Sequence, residues 1–249
     1  MPHVKVGDIQ IYYEIHGTRA QTLTLIRGLG ADLSAWFPQI PEFSKHFKTV
    51  VFDNRGAGRT DKPDAPYSMR QMADDTNGLL EALDIRRTAL LGMSMGGAIA
   101  QEFAINCPEK LSSLVLVCTS FGGPESEFFT LPGEIQEHHL FCDETIERRR
   151  EVISRYSEAR SKFPIPAYSL GRQTDALKRH DASSRLGQIQ TPTLVMTGTD
   201  DRLVPPRNSR LLASRISGSI LKEFPGCHLF MMEYPDTFNR AVIEFVTER

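Results

Sequence analysis

"LLGMSMGGAIAQEFA", residues 90–104, joins an apolar run to a helix-like one through one serine and three glycines. Serine and glycine are poor residues for either element, so their presence at the junction needs a reason. The reason is geometric. A strand that turns straight into a helix strains the backbone at the turning residue and brings the two elements into near contact. Glycine at 92 and 96 removes side chains that would collide there. The turn points the Ser94 hydroxyl out of the sheet, at a helix N-terminus where the Met95 N–H is free and the dipole favours negative charge. Gly92-Met93-Ser94-Met95-Gly96 matches G-x-S-x-G, with the strand before and helix after that the motif requires. Ser94 is the candidate nucleophile. The structural alternative is a small-residue turn that only packs a helix on a sheet.

Outward from this junction the pattern repeats. Short apolar runs at 22–28, 48–53, 88–94, 111–118 and 191–198 read as strands buried on both faces, hence a parallel sheet covered by helices. Helical periodicity fills the gaps at 69–84, 97–106 and 235–249, the last opening on proline. "KVGDIQIYYEIHG" reads as an antiparallel hairpin around a Gly-Asp turn. The expected fold is a doubly wound, mostly parallel α/β sheet with an N-terminal antiparallel hairpin. Residues 121–185 break the rhythm, with no convincing strand and a charged amphipathic stretch. They are expected to form a helical lid inserted into a core of residues 1–120 and 186–249.

Bulk properties narrow the function. A net charge of −2 over 249 residues argues against a nucleic-acid groove. No stretch reaches the roughly 18 apolar residues of a membrane span, and the N-terminus has no apolar signal core, which suggests a cytoplasmic protein. Cys107, Cys118, Cys142 and Cys227 show no CxxC pairing, and are expected to be reduced, buried thiols.

A serine hydroxyl attacks a carbonyl only when a base removes its proton, and histidine is suited to that near neutrality. His228, in "KEFPGCHLFMMEYPD", follows a strand-like run at 219–224 and so lies on the same sheet edge as Ser94. His138 and His139 match no standard zinc spacing and read as surface residues; His180 reads as structural. The imidazole needs an acid to fix its tautomer. "TLVMTGTDDRLVPP" offers Asp200 and Asp201, in the chain order Ser, Asp, His. Adjacent residues leaving a strand point opposite ways, so one of them faces His228. Residue physics leaves the pair nearly tied; Asp201 is the choice, with Asp200 capping the next helix or forming an ion pair.

With these motifs in order from end to end, the chain resembles the α/β-hydrolases, and among them 3-oxoadipate enol-lactonases, meta-cleavage-product hydrolases and small carboxylesterases. The elbow G-M-S-M-G-G, the "DNRGAGRT" loop (53–60), "GTDDRLVP" and "GCHLF" carry the resemblance. It favours Asp201, the third residue after Gly198, as the acid. It implies an oxyanion hole from the backbone N–H groups of Met95 and, in "RGLG" (27–30), Leu29. "DNRGAGRT" itself lacks G-x-G-x-x-G and reads as a tight structural loop.

Two departures stand out. Arg27 replaces the histidine that members usually carry, and either pairs with Asp32 or Asp53 or holds a substrate carboxylate. Cys227 stands where a glycine often precedes the histidine, and reads as packing. An apolar pocket of Trp36, Phe121, Met93, Phe128, Phe129 and Leu131 is expected for a small organic acyl group. The resulting expectation is hydrolysis of a small ester or lactone through an acyl-enzyme, with no cofactor and no metal. Carbon–carbon hydrolysis, thioester cleavage and perhydrolysis on the same triad are the rival reactions, and a hydrolase-like ligand receptor is the rival of another class.

Overall fold

In the computed structural model, which describes residues 2–127 and 135–249, eight strands form one sheet. They are β1 (His3–Val6), β2 (Ile9–His16), β3 (Thr22–Ile26), β4 (Lys48–Phe52), β5 (Thr88–Met93), β6 (Leu111–Val117), β7 (Thr193–Gly198) and β8 (Ile220–Phe224). Their spatial order is β1-β2-β4-β3-β5-β6-β7-β8. The β1–β2 and β2–β4 pairings are antiparallel and all the others parallel. The hairpin expectation holds, with Gly7 at φ 53° in the turn between β1 and β2.

Every residue of β3, β5 and β7 is buried, as expected for strands sandwiched between helices. The helices are α1 (Ile40–His46), α2 (Met69–Ala82), α3 (Met95–Asn106), α4 (Glu137–Leu140), α5 (Asp143–Arg148), α6 (Arg150–Ser161), α7 (Ala167–Lys178), α8 (Pro206–Arg215), α9 (Phe230–Glu233) and α10 (Pro235–Thr247). One apolar layer holds Phe43, Phe230, Phe238 and Val242 from α1, α9 and α10; the other holds Leu79, Ile99, Phe103 and Leu212 from α2, α3 and α8. Starts follow local chemistry: Ser68 caps α2 by accepting from the Gln71 N–H, and α8 and α10 open on proline.

The 53–60 loop is structural in build. Asp53 accepts the Leu33 and Arg59 backbone N–H groups at 2.8 and 2.7 Å. Arg55 forks onto Asp8 and Asp75. Gly58, at φ 53°, has no room for a Cβ, which would sit 2.2 Å from Asp53 Oδ2.

Helices α4 to α7 lie between β6 and β7, over the C-terminal ends of the parallel strands. Helix α7 is fastened to the loops beneath it. Ser169 donates to Gly56 O, Gln173 donates to Arg55 O, and the Gln173 carbonyl accepts the Gly30 N–H at 3.0 Å. Its far end is held by His180, which lies beside Glu102 with Arg185. Burial opposes ionisation of Glu102, yet the hydrogen bonds from Arg185 and His180 win and hold its carboxyl down to about 2.

The cysteine expectation needs correction. Cys107 and Cys118 are free, but Cys142 and Cys227 form a disulfide with a Cα separation of 5.3 Å. Their 85-residue separation hides the pairing from any spacing rule: Cys142 precedes α5, and only the fold of the insertion brings it onto the loop after β8. A loop that long gains most in stability from closure, about 2–4 kcal/mol in practice. Dithiothreitol is therefore expected to lower the melting temperature by about 5–15 °C. An unchanged melt, with both thiols alkylated before reduction, refutes the bond.

Candidate active site

The elbow after β5 has the strain that its sequence implies. Ser94 adopts φ 56°, ψ −122°, a left-handed backbone rarely found outside glycine. Its N–H donates to Val117 O at 2.9 Å, and its carbonyl accepts from Gly97 N and Thr119 Oγ1. The glycines are sterically required. A Cβ on Gly92 would lie 2.2 Å from Gly96 O, and one on Gly96 would lie 2.3 Å from Ile26 O and 2.7 Å from Arg27 O. These are backbone atoms of packed elements and have nowhere to go. Gly96→Ala is expected to cost about 3–5 kcal/mol, read as a lower urea midpoint with an unchanged slope. A loss under about 1 kcal/mol would mean that the elbow yields.

The exits of β7 and β8 approach just as closely. A Cβ on Gly198 would meet Gly226 O at 2.3 Å and Cys227 O at 2.5 Å. That contact sets Asp201 against His228, whose Nδ1 lies 2.8 Å from Asp201 Oδ2. The other carboxylate oxygen accepts the Leu203 and Val204 N–H groups at 2.9 and 2.8 Å. Both residues are buried, at 4% and 3% exposure. Asp200 points away and is exposed. It accepts from Thr199 Oγ1 and neither caps α8 nor enters an ion pair among the described residues.

Ser94 and His228 line one cavity of about 70 Å³, with Arg27, Gly28, Leu29 and Met93 from the sheet loops. The Ser94 hydroxyl makes no hydrogen bond to the described residues; such bonds often align only when a ligand seats. Gly28 lies against the serine, since a Cβ there would be 3.0 Å from Ser94 Cβ. The Leu29 and Met95 N–H groups donate to no protein acceptor among the described residues.

The expected pocket is partly wrong. Trp36 and Phe121 do not line it. Trp36 is fully buried under Arg27, whose guanidinium carbon lies 4.6 Å from its ring centroid. Phe121 packs in the α2–α3–α8 layer, beneath Arg215. Large aromatic side chains that sequence reading assigned to a ligand fill core instead. Phe128, Phe129 and Leu131 lie outside the described residues. The remaining wall comes from Ile135, Leu140, Tyr156, Arg160 and Leu177 of the insertion and from Ala31, Leu203, Val204 and Leu229. No motif marked these, because their place depends on how the insertion lies over the sheet.

Cys118 is a second residue missed. It follows β6 at φ 45° and brings its sulfur within 4.8 Å of the ligand atoms of Asp201 and His228. Burial, reinforced by the Asp201 charge, pushes its thiol well up, so it stays protonated. A protonated thiol, with Nδ1 and Oδ2 already engaged to each other, makes the trio a poor metal cage. Glu233 is a third. Its two oxygens accept the Cys142 and Cys227 N–H groups at 2.8 Å each, beside the disulfide. His138 and His139 of α4 pack on each other at 3.9 Å, the first exposed and the second half-buried.

Comparison with known proteins agrees with this architecture. The model of the alpha/beta hydrolase fold family matches residues 21–136 and 125–235. A protein of Azorhizobium caulinodans named as a carbamate hydrolase, RutD, is 30% identical over all of this chain and 99% of its own. A 2-hydroxy-6-oxononadienedioate/2-hydroxy-6-oxononatrienedioate hydrolase of Paraburkholderia xenovorans is 28% identical over 96% of this chain and 91% of its own. The crystal structure of the enol-lactonase from Burkholderia xenovorans LB400 superposes with a TM-score of 0.88 at 26% identity, covering 99% of this chain and all of that one. Among the described residues no helix is long and apolar enough to cross a membrane. With sheet order, elbow and family model in agreement, this chain belongs to the α/β-hydrolase fold family.

Proposed function

We propose that this hydrolase cleaves a small carboxylic ester, lactone or carbamate through an acyl-enzyme formed on Ser94. One observation carries the reading: the strained elbow serine faces the same cavity as a histidine whose far nitrogen is tied to a buried carboxylate. Asp201 holds Nδ1–H, which leaves Nε2 as the base. Ser94 gives its proton to Nε2 as Oγ attacks the carbonyl. The oxyanion that forms takes hydrogen bonds from the Leu29 and Met95 N–H groups, each donor contributing about 3 kcal/mol. The imidazolium then protonates the leaving alcohol, and water activated by the same nitrogen releases the acid. Helices α4 to α7 serve as a lid that excludes bulk water from these steps.

The relatives named above support hydrolysis without fixing the bond, since one triad serves several chemistries. A fluorophosphonate probe tests the reading directly. It is expected to add to Ser94, located by peptide mass spectrometry, with activity lost in proportion. Labelling of another residue, or none, overturns it.

A further inference from the structure

Arg27 is the least expected side chain in the cavity wall. It is 1% exposed, and its Nε and Nη1 are buried with no hydrogen-bond partner. Neither ion pair expected for it forms. Asp53 is engaged by Leu33 N, Arg59 N and Arg59 Nε, and Asp32 accepts from Ser34 N. Its nearest polar neighbours are the Tyr156 hydroxyl and a second cation, Arg160, while the Asp32 carboxylate acts on it through its charge without a hydrogen bond or ion pair. Arg160 lines the same cavity and makes no salt bridge among the described residues. Two arginines thus line the cavity beside Ser94, and no carboxylate is among the described residues that line it.

A buried, unpaired cation is costly, and removal of one partner from such a pair is among the more damaging changes a protein can suffer. The Trp36 ring beneath Arg27 offsets part of that cost, but a ring face leaves the in-plane N–H groups unbonded. Burial pulls the guanidinium's affinity for its proton down, the direction expected of a charge awaiting a partner. An anion in the cavity would answer the field of the two arginines that line it.

We propose that Arg27, with Arg160 beside it, forms a carboxylate subsite in the Ser94 cavity, so that the substrates are small esters or lactones bearing a free carboxylate. The word substrate rests on the acyl-enzyme reading; the binding of an anion does not. A planar guanidinium matches a carboxylate in shape and charge, and a charge-assisted contact of this kind is worth about 10- to 100-fold in affinity.

The test compares matched ester pairs by pH-stat: ethyl hydrogen succinate against ethyl butyrate, and acetoxyacetate against ethyl acetate. The wild-type enzyme is expected to favour the acid of at least one pair by about 10- to 100-fold in kcat/KM. Arg27→Gln is expected to erase that preference by raising KM for the acid alone, and Arg160→Gln to reduce it. Because Arg27 is buried, Arg27→Lys, which keeps charge but not the fork, accompanies it, and all variants are checked by thermal melt. Equal treatment of both members of both pairs by the wild-type enzyme overturns the proposal. Calorimetric titration of Ser94→Ala with succinate separates the two readings. Arg27-dependent binding without ester turnover in the wild type keeps the subsite and ends the acyl-enzyme. Turnover of neutral esters without succinate binding does the reverse.

Discussion

Ser94→Ala is expected to lower turnover of a small neutral ester by about 10³- to 10⁶-fold while the protein melts within about 0.5 kcal/mol of wild type. The size of the loss follows from the division of labour in the cavity. Without Oγ no acyl-enzyme forms, and what remains is the oxyanion donors acting on bound water. The fold is spared because the hydroxyl has no partner among the described residues to leave unpaired, and alanine meets the same left-handed backbone as serine at φ 56°. Steady-state assays with thermal melts check both halves. Activity within tenfold of wild type would end the acyl-enzyme reading.

Asp201→Asn is expected to give the second large effect, a loss of about 10⁴-fold in kcat. Asparagine keeps an oxygen for the Leu203 and Val204 N–H groups, so the loop should hold its shape. Its amide nitrogen, however, faces Nδ1 as a donor and forces the imidazole into the tautomer that protonates Nε2. The base is then blocked with its ring in place. Asp200→Asn, one residue away and exposed, is expected to change kcat less than twofold. If the two variants trade places, the assignment of the acid is reversed.

The chemistry of individual residues explains what could be read beforehand. Strand and helix periods in 22–28, 88–94 and 235–249 placed the parallel core, because a strand buried on both faces leaves an unbroken apolar run. The glycines at 92 and 96 were legible because backbone crowding admits no other residue. Asp201 and Asp200 differ only in which way each leaves β7, and that direction is set by the approach of Gly198 to Gly226, a contact between distant segments. The cavity wall was illegible for the same reason. Apolar residues such as Leu140 and Tyr156 carry no mark that separates a pocket from a core, and Trp36 and Phe121 went to the core. The Cys142–Cys227 pairing was hidden because it depends on the path of the whole insertion.

At the corner where Cys142 meets Cys227, the insertion and the segment that carries His228 are coupled three times over. The disulfide, the Cys142 N–H to Glu233 Oε1 bond at 2.8 Å and the Leu229 N–H to Leu140 O bond at 2.9 Å all join the same two segments. This corner acts as a fulcrum. A helical cover that lifted here would drag the imidazole off its carboxylate, so ligand entry that preserves His228 must use travel elsewhere, with α4 and the start of α5 standing still. On the proposed acyl-enzyme reading, stiffness at this corner and the readiness of His228 as the base are one mechanical property.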